Sequence, residues 1–149
     1  MKPTQPCQVD APARVFVHRF SSTPRGARLA RYLAVHQLHD WGVPRCSDVS
    51  ATAALLIAEL SANAVTHGHV ESGDFRLRLT LTARTLRIEV SDAHGGWCPP
   101  DAGKPVAPPP PESEHGRGLF LVAASADRWT VLDRGRAGKT VRAELDLPH

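Results

Sequence analysis

The chain has 149 residues, 42% hydrophobic and 22% charged, which suits one domain with a real core and excludes a disordered, collagen-like or low-complexity protein. Lys and Arg number 18 against 15 Asp and Glu, and this mild basic excess is scattered along the chain, so no direct nucleic-acid partner is expected. No unbroken apolar run approaches about 18 residues, so no membrane span is expected.

Met1–Asp10 carries one lysine and no apolar stretch after it, so no secretory signal is expected and the anticipated location is cytoplasmic. Cys7, Cys46 and Cys98 are odd in number and lack the paired spacing of a zinc site; reduced thiols are the better reading.

Residues 1–13 hold Pro3, Pro6 and Pro12 without periodicity and are expected to form a flexible tail before a single domain over 14–149. Arg14 to Phe20 alternates as a first, edge strand. A helix follows, capped by Thr23 with Pro24 at its first position, with Leu29, Ala30, Leu33, Leu38 and Trp41 at helical spacing and Gly42 as its stop. Ser47 or Asp48 caps a second helix, rich in Ala and Leu, that runs to about Thr66 and ends at His67 and Gly68. Phe75 to Leu81 and Leu86 to Val90 alternate around the polar break Ala83–Thr85, which predicts an antiparallel hairpin with one buried face. On that hairpin Arg76 and Arg78 read as the solvated side.

From Gly95 to His115 prolines exclude helix or strand over most of the segment, and a loop this long in a small domain is more often functional than decorative. Leu119 to Trp129 is expected as a short apolar helix opening after Gly116 and Gly118, and Thr130–Asp133 and Thr140–Leu147 as two closing strands.

Three clusters carry polar chemistry. Glu59, Asn63 and His67 recur every four residues and form one polar stripe on an apolar helix. A carboxylate and an amide one turn apart can polarise a hydroxyl and hold a hard cation such as Mg²⁺; a solvated helix face is the plainer alternative, although Leu55, Leu56, Leu60 and Ala64 leave little room for a broad one. Asp92 ends a strand just before Gly95 and Gly96, where it could accept a hydrogen bond from an exocyclic amine, or simply form a turn. Gly116, Arg117, Gly118 and Leu119 open a helix whose free N–H groups suit an anion, or form the hinge that ends a loop.

Taken in order, Glu59-x-x-x-Asn63-Ala64-x-x-His67-Gly68, a strand-ending Asp92, a long loop and Gly116-x-Gly118-Leu119 resemble the N box and the two glycine boxes of the GHKL (Bergerat-fold) ATPases. Within them the chain is most similar to the free-standing serine/threonine kinases of actinomycete type that act as anti-sigma factors. The likeness covers about residues 14–147 and extends to Ala126-Asp127-Arg128-Trp129 and Gly138-Lys139-Thr140-Val141.

The resemblance implies that Glu59 is the general base, Asn63 the Mg²⁺ ligand and Asp92 the carboxylate that takes the adenine amine. Gly116 and Gly118 would lie at the phosphates with Arg117 and Leu119 beside them, Thr140 would join Asp92 at adenine partly through water, and His67 would sit near the phosphates. The segment of about 95–115 would be the lid. His94 stands where the family has a second glycine, so the loop must turn differently or use Gly95, and Lys104 and Arg117 are the only nearby cations.

The fold implied is an α/β (α+β) two-layer sandwich: a mixed, mostly antiparallel sheet of about five strands with helices on one face, the histidine-kinase-like ATPase arrangement. The function implied is an ATP- and Mg²⁺-dependent serine/threonine kinase. It would bind a sigma factor or similar regulator and phosphorylate an antagonist protein, and the resemblance allows a homodimer. The alternative is a nucleotide-binding interaction module that transfers no phosphate.

Overall fold

The computed structural model describes residues 13–67, 73–92, 117–133 and 138–148. The tail up to Pro12, the expected lid at 95–115, Gly68, Gly95 and Gly116 lie outside them. Five strands, β1 (Arg14–Ser21), β2 (Asp74–Leu81), β3 (Thr85–Asp92), β4 (Arg128–Asp133) and β5 (Lys139–Asp146), accompany three helices, α1 (Pro24–Asp40), α2 (Asp48–His67) and α3 (Arg117–Ser125). The sheet order is β1-β2-β3-β5-β4. Every neighbouring pair is antiparallel, so the sheet is not mixed. The α+β architecture is otherwise as expected, with β1 at one edge and β4 at the other.

Local chemistry explains each helix end. Thr23 Oγ1 accepts from the Gly26 N–H at 3.0 Å, with Pro24 at the first helical position. At the far end Val43 N–H reaches the Leu38 carbonyl at 2.8 Å across Gly42, whose φ of +92° is the left-handed conformation glycine adopts without cost. Ser47 caps α2, its Oγ accepting from the Ser50 N–H at 3.2 Å. Asp48 lies inside the first turn, where a carboxylate complements the helix dipole.

The buried face of α1 is Gly26, Ala30, Ala34 and Leu38, a run of i, i+4 positions, and Leu29, expected inward, is 48% exposed. Small residues win that face because the helix lies close against the chain beneath it. A Cβ on Gly26 would stand 2.0 Å from the Ser21 carbonyl oxygen.

Helix α2 is the centre of the core, burying Ala53, Leu56, Ile57, Leu60 and Ala64 against β2, β3 and β5 and the other two helices. An 18-residue stretch within Asp48–Thr66 averages a hydropathy of 1.4, long and apolar enough to cross a membrane by length and composition. A count of unbroken apolar runs misses this, since Asp48, Glu59 and the hydroxyl residues interrupt the run while the mean stays high.

The hairpin turn is held by Thr82, whose Oγ1 accepts from the Arg84 and Thr85 N–H groups at 3.4 and 3.0 Å. Helix α3 ends at Ser125, and Trp129, expected inside it, belongs to β4 opposite Ala143. Tertiary hydrogen bonds overrule helical periodicity here. Asp127 N–H donates to the Glu144 carbonyl at 2.9 Å and Asp127 Oδ2 accepts from the Asp146 N–H at 2.6 Å, which turns the chain into the sheet edge.

The face of the sheet away from the helices is charged and largely self-paired. Arg142 donates to Glu89 Oε2 from Nη2 and Nε at 3.2 and 3.3 Å, and Arg128 grips Asp146 through both Nη atoms at 2.6 and 3.1 Å. Arg76 and Arg78 lie on this outer side as expected, opposite Arg19 and Val17 of β1.

Candidate functional site

Side chains alternate across each strand, so the pairing register sorts the helix-facing residues into rows. Phe16, Leu79, Ile88, Ala143 and Trp129 form one row, and His18, Leu77, Val90, Val141 and Val131 the next. The following row, at the end of the sheet, reads Phe20, Phe75, Asp92, Lys139, Asp133. Phe20 and Phe75 stack with ring centres 5.6 Å apart, and then the row becomes charged. Asp92 is half-buried and Lys139 only 8% exposed; neither is an isolated charge.

Thr140 lies on the other side of the sheet. Its Oγ1 is 2.6 Å from Ser91 Oγ, its direct cross-strand neighbour, and it is fully buried there. Ser91 and Asp92 are consecutive on β3 and point to opposite faces, so Thr140 does not share the side of Asp92 that faces the helices. The residue that does is Lys139. Its signal in the sequence was the alternation of Lys139, Val141, Ala143 and Leu145, which puts the lysine inward with the apolar positions.

Glu59 and Asn63 are both half-buried on α2, and His67 is its last residue. The Asn63 Nδ2 atom is inaccessible to solvent and has no hydrogen-bond partner among the described residues. A buried donor left unpaired costs about 1–3 kcal/mol, which leaves Asn63 Nδ2 in want of an acceptor; Ser61 Oγ on the same helix is likewise buried and unpartnered among the described residues. The amide oxygen and nitrogen are interchangeable by a flip of the side chain.

Connectivity brings the three clusters to one end of the sheet. Helix α1 starts where β1 ends, with Ser22 N–H donating to the Gly73 carbonyl at 3.0 Å and Thr23 N–H to the Ser21 carbonyl at 2.8 Å. Its first turns share a cleft of about 420 Å³ with the last turns of α2, lined by Pro24, Ala27, Arg28, Arg31, Ala58, Ala62, Val65 and Thr66. The half of α2 carrying Glu59, Asn63 and His67 is therefore at the Asp92 end of the sheet. Neither Glu59 nor Asn63 lines that cleft. Only Ala126 and Asp127 join α3 to β4, a reversal that sends the two in opposite directions. Since β4 finishes at Asp133 in the Asp92 row, α3 begins, at Arg117, Gly118 and Leu119, at this same end.

A half-buried carboxylate at the end of a strand, a polar helix stripe and the start of a second helix, all meeting at one end of a two-layer α+β sandwich, define a ligand-binding domain whose site lies between sheet and helices. Such a site can take a phosphate-bearing ligand, with a carboxylate to accept from an amine, an amide, and the N-terminus of a helix for the anion. The chain belongs to the histidine kinase-like ATPase domain family, whose model matches residues 20–145. That match supports a GHKL-type ATP-binding domain. Among curated proteins none matches the chain.

Proposed function

We propose that the protein is an ATP- and Mg²⁺-dependent serine/threonine kinase that acts as an anti-sigma regulatory factor. It would hold a sigma factor or similar regulator and phosphorylate an antagonist protein, in the cytoplasm and as a homodimer. The observation that supports this reading best is the meeting of Glu59, Asn63, Asp92 and the α3 N-terminus at one end of the sheet.

In this reading Asp92 accepts the adenine amine through a charge-assisted hydrogen bond. The backbone N–H groups of the first α3 turn, where Gly118 puts no side chain in the way, meet the phosphates with the positive end of the helix dipole. Arg117 adds a cation at that turn and His67 lies at the end of the polar stripe. Glu59, one turn before Asn63, accepts the proton of the serine or threonine hydroxyl as its oxygen takes the γ-phosphoryl group and ADP leaves.

The residues present fit a magnesium ion. With its amide flipped so that Oδ1 takes the unpartnered position of Nδ2, Asn63 offers one hard ligand, and no group of three His, Cys, Asp or Glu side chains among the described residues would hold a metal without the nucleotide. Bound there with ATP, the ion would neutralise phosphate charge.

The test is transfer of label from γ-³²P-ATP to a partner captured with the protein. Glu59→Gln is expected to keep nucleotide and partner binding and to lower transfer by roughly 10²- to 10⁴-fold, the usual cost of losing a general base. A wild type that binds ATP, Mg²⁺ and partner yet transfers nothing would overturn the kinase reading in favour of an interaction module.

A further inference from the structure

The sheet-end row contains a residue that the site described above does not use. Lys139 is the direct cross-strand neighbour of Asp92, with Asp133 at the register position on its other side. It sits on the helix-facing side and is 8% exposed. Lysine is almost never fully buried unless its charge is paired; Lys139 is not an isolated charge, and it stands directly across from the carboxylate assigned to the adenine amine. Thr140, the expected second contact to adenine, bonds to Ser91 on the opposite face.

We infer that Lys139 is a base-recognition residue, its ammonium donating to a ring nitrogen that flanks the purine amine accepted by Asp92. The inference rests on the nucleotide reading of the site and deepens it. Directly opposed residues on one face have Cβ atoms about 4.5–5.5 Å apart, so a carboxylate and an ammonium there present an acceptor and a donor side by side. A 6-aminopurine offers the complementary pair, an amine donor next to a ring-nitrogen acceptor. The ammonium has three donors, so an ion pair with a neighbouring carboxylate and a hydrogen bond to a ligand are compatible. The Asp92 carboxylate also favours a ligand edge that presents a donor, which adenine does at its amine.

The experiment compares binding of ADP, 1-deaza-ADP and 7-deaza-ADP to the full chain by calorimetry. The two analogues each lack one ring nitrogen flanking the amine and keep the amine itself. Wild type is expected to bind one of them roughly 10- to 100-fold more weakly than ADP, the range for a hydrogen bond to a charged group. Lys139→Met is expected to bind ADP and that analogue equally, and Lys139→Gln, which keeps a donor, to discriminate by an intermediate factor. A thermal melt establishes that each variant is folded.

Equal wild-type affinity for all three nucleotides overturns the inference without recourse to any variant. So does a folded Lys139→Met protein that discriminates as well as wild type. Failure of the wild type to bind ADP at all removes the nucleotide reading itself, and is thereby distinct from failure of the role assigned to Lys139.

Discussion

Two adjacent rows of the same sheet face behave in opposite ways. Val90, Val141 and Val131 meet the helices with apolar surface, whereas the next row along the same strands, Asp92, Lys139 and Asp133, carries three charges. The backbone hydrogen bonding is continuous through both rows, so the change reflects what lies above them. The Val90 row lies under the α2 core, and the charged row at the helix ends. A sheet tolerates polar groups where helix packing stops, and the boundary between rows marks where stability gives way to chemistry.

The largest effect on folding comes from breaking the apolar side of that boundary. Ile88 is fully buried, and Ile88→Ala should lower unfolding free energy by about 2–5 kcal/mol in urea titration. ADP affinity of the folded protein should hardly change. Asp92→Ala should do the reverse, weakening ATP by about 1.5–3 kcal/mol, one to two decades by calorimetry, with a smaller shift in melting temperature. An Asp92→Ala protein that binds ATP normally would erase the distinction between the rows.

A smaller effect is expected at Asn63, on the helix above the charged row. ATP binding by wild type should weaken when EDTA removes Mg²⁺, and Asn63→Ala should lose most of that dependence while keeping the metal-free affinity. Absence of a metal effect in the wild type would detach the α2 stripe from the site.

The smallest effect lies on the outer face of the sheet. The hydrogen bond from Arg128, with its positive charge, holds the Asp146 carboxyl below the ordinary carboxylate range. Its stabilising contribution is therefore complete above that range and is lost as pH falls through the lowered value. Asp146→Asn should flatten this part of the acid-unfolding profile only slightly, because the pair is exposed and screened. A large change would mean that the outer face contributes more to stability than its exposure allows.

Local chemistry was legible in the chain before folding. The Thr23 and Ser47 caps, the Gly42 stop, the alternation of both hairpin strands and the four-residue spacing of Glu59, Asn63 and His67 depend only on neighbours within a few positions. For the same reason local periodicity puts Trp129 in the wrong element, because its place in β4 depends on Asp127 bonding to the backbone of Glu144 and Asp146.

The sequence by itself therefore determined the order and type of the elements, the helix caps and the residue types that can hold a nucleotide, but not the boundary between α3 and β4. Only the tertiary structure decided the order β1-β2-β3-β5-β4, the gathering of three distant clusters at one sheet end and the residue that stands beside Asp92. That last choice came from the pairing of β3 with β5, in which Ser91 and Thr140 are partners across 49 positions of chain. Periodicity reports which residues share a face of one strand. Register between strands is fixed by long-range packing and hydrogen bonding, and it is what puts Lys139, in place of Thr140, next to the carboxylate.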